Sequence, residues 1–137
     1  MEIDQNITFE ERKALAMEGR RKGYNCAQAV VAAFPDVLHL PMETALRLSL
    51  GFGNGFGGMQ HVCGVMSAMT LLEGVRFEDH SMARAGVYKV VRSLGDNFKE
   101  AFGSLQCSDI KSLDPPVPCN EVITRGIRIY HDFLEKQ

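Results

Sequence analysis

Apolar and polar positions alternate with helical spacing along most of the chain. Thr8-Phe-Glu-Glu11 has the form of a capping box, and Ala14, Leu15, Ala16 and Met17 follow among charges. A first helix is predicted over 9–22, ending at Gly23. Asn25 is placed to cap a second helix, Cys26–Phe34, which is apolar nearly all round and therefore buried, and Pro35 and Asp36 stop it. Residues 38–43 read as a loop entering a third helix, with Pro41 near its first turn and Leu46, Leu48 and Leu50 carrying it to Gly51. A strand over 47–52 is the weaker alternative. The apolar run from His61 to Glu73 predicts a fourth helix closed by Gly74. Residues 77–81 connect, with Asp79 or Ser81 as a cap. A fifth helix covers 82–94 and stops at Gly95, and a short sixth covers 98–102. Three prolines in Asp114-Pro-Pro-Val-Pro118 exclude helix and central strand. Cys119 to Glu135 then forms a last amphipathic helix. The pattern predicts an all-α bundle of six to seven helices, with a glycine-rich loop before the fourth.

Composition narrows this picture. At 137 residues and 45% apolar content, residues 1–137 are expected to form one domain with a core that needs no disulfide or metal. A net charge of −2 without a Lys/Arg block argues against nucleic acid or an anionic membrane as partner. The acidic start Met1–Asn6 lacks a signal-peptide pattern, and no apolar run is long enough to span a bilayer, so a cytoplasmic protein is expected. In a reducing cytosol, four cysteines point to catalysis, metal binding or plain burial before structural disulfides.

The candidate chemistry centres on Gly51-Phe-Gly-Asn-Gly-Phe-Gly-Gly58 and the His61-Val-Cys63-Gly64 that follows. Six glycines fall in the fourteen residues 51–64. Gly53, Gly55, Gly57 and Gly58 match G-x-G-x-x-G by letter, but no βαβ unit surrounds them. The loop is either a turn that lets helices or subunits approach closely or a ligand-binding nest completed by His61. Cys26, Cys63 and Cys119 each fall at a predicted helix start, where partial positive charge favours thiolate. Cys107 and Cys119 form a C-x11-C pair that suits a disulfide or two metal ligands. The competing reading is that each cysteine is small apolar filler, Cys26 above all. His39, His80 and His131 are expected at the surface, and the methionines in the core.

With these residues in view, the chain resembles the C_GCAxxG_C_C family of redox-active proteins. Gly23-Tyr-Asn-Cys26-Ala-Gln-Ala-Val is similar to the family's first cysteine helix. The glycine loop with Cys63-Gly64 resembles its central motif, and Phe98–Ser104 leading to Cys107, then Cys119, resembles its final pair. Val62 stands where the pattern has glycine, and Gly64 where it has alanine. The resemblance implies a helical fold with four related cysteines. On this basis a cytosolic redox protein is expected. It would act by thiol–disulfide exchange, or by binding a metal or iron–sulfur cluster for electron transfer, and by count Cys26, Cys63, Cys107 and Cys119 suit an iron–sulfur cluster or zinc. Cys63 is the expected central thiolate, exposed by the loop, with Cys107 and Cys119 as resolving pair or further ligands. A redox partner protein is implied. The alternative is a non-catalytic helical module that binds a small ligand or forms a homo-oligomer.

Overall fold

The computed structural model describes residues 7–77 and 83–137. The acidic start, the Asp79 or Ser81 cap, His80 and the expected helix start at Met82 lie outside these residues. The described residues form eight α-helices and no strand: α1 (Phe9–Arg21), α2 (Cys26–Ala32), α3 (Pro35–Leu38), α4 (Met42–Leu50), α5 (Gly64–Arg76), α6 (Ala83–Phe102), α7 (Cys107–Lys111) and α8 (Cys119–Glu135).

Two capping boxes set the start of the fold. Glu11 N donates to Thr8 Oγ1 at 3.1 Å, and Thr8 N returns a bond to Glu11 Oε1 at 3.2 Å. Asn25 and Gln28 repeat the arrangement at 2.9 and 3.0 Å, fixing Cys26 as the first residue of α2. Helix α2 is the axis of the core. Its Ala27, Ala29, Val30 and Val31 are fully buried, and α1, α4, α5 and α8 pack round it. Helix α6 covers the outer side of α5 and α8.

Four elements differ from the sequence reading. Helix α5 begins at Gly64 rather than His61, because Val62 is extended and pairs in an antiparallel bridge with Gln106. It runs past Gly74 to Arg76, whose Nε and Nη2 bond the buried Glu73 carboxylate at 2.8 and 2.7 Å. Gly95 does not stop a helix. It lies inside α6, so the expected fifth and sixth helices are one. Finally, Pro35–Leu38 and Cys107–Lys111 each form a short helix where loop was expected. The count is therefore eight, and the glycine-rich segment precedes the fifth helix. The strand alternative for 47–52 also gives way to helix as far as Leu50.

His131 is buried, not on the surface. Its Nδ1 accepts from Arg12 Nε at 3.0 Å, and its Nε2 lies 2.8 Å from Glu135 Oε1. Arg12 is equally buried and gives Nη1 and Nη2 to the Asp36 carboxylate at 2.8 and 2.9 Å. This ionic group ties α1, α3 and α8 together. Met66 and Met69 are in the core as expected, but Met59 is largely exposed. Among the described residues, no helix is long and apolar enough to cross a membrane.

Candidate functional site

All four cysteines lie at helix starts. Cys26, Cys107 and Cys119 are the first residues of α2, α7 and α8, and Cys63 is the N-cap of α5. Cys107 joins this set only because α7 exists. The four helix starts converge: Cys26, Cys63, Cys107 and Cys119 line one cavity of about 30 Å³, room for one or two water molecules. Val65, Ile110, Val117 and Val122 supply its apolar wall, and Asn54 and Lys111 also border it. All four thiols are free. Cys26, Cys63 and Cys107 are 8%, 7% and 7% exposed, whereas Cys119 is open to solvent. Cys26, expected to be the most inert, is part of the cavity.

Glycine is required where the helix starts meet. An ideal Cβ on Gly64 would lie 2.6 Å from Cys26 Sγ and 2.9 Å from the Phe52 carbonyl oxygen. The bare Gly64 lets the α2 thiol rest against the first turn of α5. Gly126 of α8 similarly leaves room for Val65 Cγ1, a wall atom of the cavity.

The glycine loop is tightly bonded and does not expose Cys63. Gly57 N donates to Gly51 O at 2.8 Å, Gly58 N to Gly53 O at 3.1 Å, Gln60 N to Asn54 O at 3.0 Å and His61 N to Gly55 O at 3.1 Å. The N–H groups of Gly57, Gly58 and His61 are thus spent inside the loop, and fewer donors remain for a bound anion. Gly55 has φ +73 and packs against the His61 backbone, while Gly53 gives space to the Asn25 side chain. Asn25 Nδ2 in turn donates to Leu50 O at 2.8 Å, tying the loop to α2. The His61 side chain is exposed, and the residue contributes through its carbonyl, which accepts from Cys107 N at 2.6 Å. With Cys63 N bonded to Leu105 O at 2.8 Å, the two cysteine segments are clamped side by side.

The electrostatics reverse the expectation for Cys63. Burial pushes its thiol from 9.0 up to about 12. The N–H groups of Val65 and Met66 at the α5 start pull the other way, as a helix N-terminus should, but they are outweighed; the neighbouring thiols of Cys26 and Cys107 add to the rise. Burial also raises Cys107, with Cys26 and Cys119 contributing, while the Lys111 ammonium lowers it. At neutral pH Cys63 is a thiol, not the central thiolate.

Residues 24–133 match the family model described as "Putative redox-active protein (C_GCAxxG_C_C)". The chain belongs to that family. Comparison with curated proteins and with solved structures returned no match. The matched residues contain all four cysteines that stand at helix starts round the cavity.

Lys111 and Asn54 were missed from the sequence. Lys111 lies four residues after Cys107 and faces the same cavity because α7 is helical. Asn54 has φ +51, the left-handed conformation that asparagine tolerates, and this turn of the loop brings it to the cavity. A single zinc would need its sulfurs within roughly 4 Å of one another to sit about 2.3 Å from each. Among the described residues, no three of His, Cys, Asp and Glu are grouped to hold a metal ion. As arranged, the thiols do not fit zinc.

Proposed function

We propose that this protein carries out two-electron thiol–disulfide exchange, with Cys119 as the entry thiol and Cys107 as its resolving partner. One observation carries the reading: four cysteines line a single cavity, and only Cys119 is exposed. The Cys119 thiolate attacks one sulfur of a disulfide RSSR, the RS–SR bond breaks as a Cys119–SR bond forms, and the RS⁻ released takes up a proton. Cys107 then attacks the Cys119 sulfur, forms the Cys107–Cys119 bond and releases the second RSH. The protein loses two electrons and two protons, and RSSR gains both. Lys111 supports the second step by favouring the Cys107 thiolate against its burial. Cys63 and Cys26 form an inner pair that receives oxidation by further exchange. A redox partner protein would restore the thiols, in a reducing compartment such as the cytoplasm.

The test is a titration of the reduced chain with bis(2-hydroxyethyl) disulfide, followed by thiol counting and peptide mapping. The expected product is a Cys107–Cys119 bridge with two thiols lost, and a mixed disulfide that persists in Cys107→Ser. Retention of all four thiols, or a Cys119 adduct in wild type that never resolves, would overturn the reading.

A second reading is favoured by the donor set, since four cysteines on one cavity match an iron–sulfur cluster by count. Such a cluster would supply one-electron transfer when bound, and the small cavity means that the helix starts would have to separate to admit it. Anaerobic reconstitution with ferrous iron and sulfide tests this, through a visible absorption band that Cys63→Ser removes. The non-catalytic or homo-oligomeric alternative is supported by the exposed Leu48, Leu50, Phe56 and Met59. Sedimentation of wild type against Leu50→Glu separates it from the redox readings.

A further inference from the structure

We infer that the cleft beside the first turn of α8 is a carboxylate-binding subsite that selects anionic disulfides for Cys119; the selection rests on the exchange reading above, the binding does not. The cleft, about 500 Å³, is lined by Met17, Arg20, Arg21, Gly23, Tyr24 and Asn120. It adjoins the thiol cavity through the chain at two places. Asn120 directly follows Cys119 on α8, and Tyr24 stands two residues before Cys26.

Arg20 is the residue that gives the cleft its chemistry. Its Nε donates to Asn120 Oδ1 at 2.9 Å, and its Nη1 donates to the Tyr24 carbonyl at 3.0 Å. Both acceptors are neutral. Among the described residues Arg20 has no ion pair, whereas its neighbour Arg21 is neutralised by Glu18 at 2.6 Å. Glu121, the acid next to Asn120, makes no bond to Arg20. A guanidinium has five N–H donors, so three remain on a group whose orientation is already fixed by two bonds. That is the arrangement in which arginine binds a carboxylate with two parallel bonds. The start of α8, a 17-residue helix, adds partial positive charge on the same side. A small disulfide whose carboxylate rests on Arg20 would bring its S–S bond towards Cys119, and the exchange then proceeds with the electron balance given above.

The test uses three disulfides of similar length: 3,3′-dithiodipropionate (dianion), bis(2-hydroxyethyl) disulfide (neutral) and cystamine (dication). Rates of Cys119 thiol loss in the reduced full chain are divided by those of a free-cysteine peptide. The expected order is dianion over neutral over dication, with about a tenfold preference for the dianion over the neutral compound. Arg20→Gln should abolish that preference, Arg20→Lys should keep part of it, and added salt should shrink it. Equal normalised rates in wild type, or an unchanged preference in Arg20→Gln, would overturn the inference. A second measurement separates it from the exchange reading. In Cys119→Ser, which cannot exchange, dithiodipropionate should shift the Arg20 side-chain NMR signal at millimolar concentration and bis(2-hydroxyethyl) disulfide should not. Binding without any exchange in wild type would overturn the exchange reading alone. Exchange without binding would overturn the subsite alone.

Discussion

The buried thiol of Cys63 makes stability fall at alkaline pH, and by an amount that the structure sets. Its folded value is about 12 against 9.0 for an open thiol. At pH 7 the thiol is protonated in both states and contributes no pH dependence. Above pH 9 the unfolded chain releases this proton while the folded chain keeps it. The unfolded state then binds fewer protons, so stability must drop as pH rises. A gap of this size corresponds to roughly 4 kcal/mol when fully expressed near pH 12, and to roughly 1 kcal/mol between pH 7 and pH 10. The assay is urea unfolding of the fully reduced chain at pH 7, 8, 9 and 10, in wild type and Cys63→Ala. Subtracting the variant cancels the titration of lysines, tyrosines and the other thiols, and its packing loss is the same at each pH. The wild-type advantage should therefore shrink by roughly 1 kcal/mol by pH 10. The same shift cuts the neutral-pH thiolate fraction about a thousandfold, so Cys63 should be alkylated far more slowly than Cys119. An advantage that stays constant or grows with pH would mean that the Cys63 thiolate is well stabilised in the fold, and the ordering of thiols argued here would fail.

Three further outcomes are expected. Gly64→Ala should cost about 1–3 kcal/mol by urea unfolding, because the new methyl meets Cys26 Sγ at 2.6 Å and the immobile Phe52 carbonyl at 2.9 Å; adding Cys26→Ala should recover part of the loss, and no recovery would show that the backbone contact alone sets it. Arg12→Met should cost about 3–5 kcal/mol, since it withdraws a buried guanidinium from Asp36, the Ala33 carbonyl and His131 together. Tyr130→Phe removes the hydroxyl that donates to Glu73 Oε1 at 2.9 Å and should cost about 1–3 kcal/mol; a neutral result in thermal unfolding would show that Arg76 alone satisfies that carboxylate.

Local signals were legible wherever the chain's own neighbours decide the outcome. Thr8 with Glu11, and Asn25 with Gly23, mark helix ends by bonds and conformations a few residues long, and α8 runs over the range that its amphipathic pattern indicates. Glycine was misread where its low helix propensity was taken as a stop. Gly95 lies inside α6, where an added Cβ would make only ordinary contact with Met66 and Leu105, and the exposed Gly74 lies inside α5, whose last turn carries the Glu73–Arg76 pair. His131 looked solvent-facing because its partner Arg12 lies 119 positions away. The start of α5 was misplaced because Val62 pairs with Gln106, a contact that no local pattern announces. That all four cysteines bear on one cavity followed only in part from three helix starts; it needed α7, a five-residue helix that begins at Cys107.

At Cys63 two opposing forces act together, and their balance decides its charge. Helix starts do favour thiolate, and Val65 and Met66 donate to Cys63 as that argument requires. The sequence shows this local term but hides burial, which depends on Gly64 admitting Cys26 and on the clamp between residues 60–63 and 105–108. Once burial dominates, a charged inner thiol is expensive unless its charge is neutralised as it forms. A disulfide achieves this, since the sulfur ends uncharged, and so does binding to a metal cation. On the proposed exchange reading, chemistry would start at the exposed Cys119 and move inward by bond exchange, with no standing thiolate at the centre of the cavity.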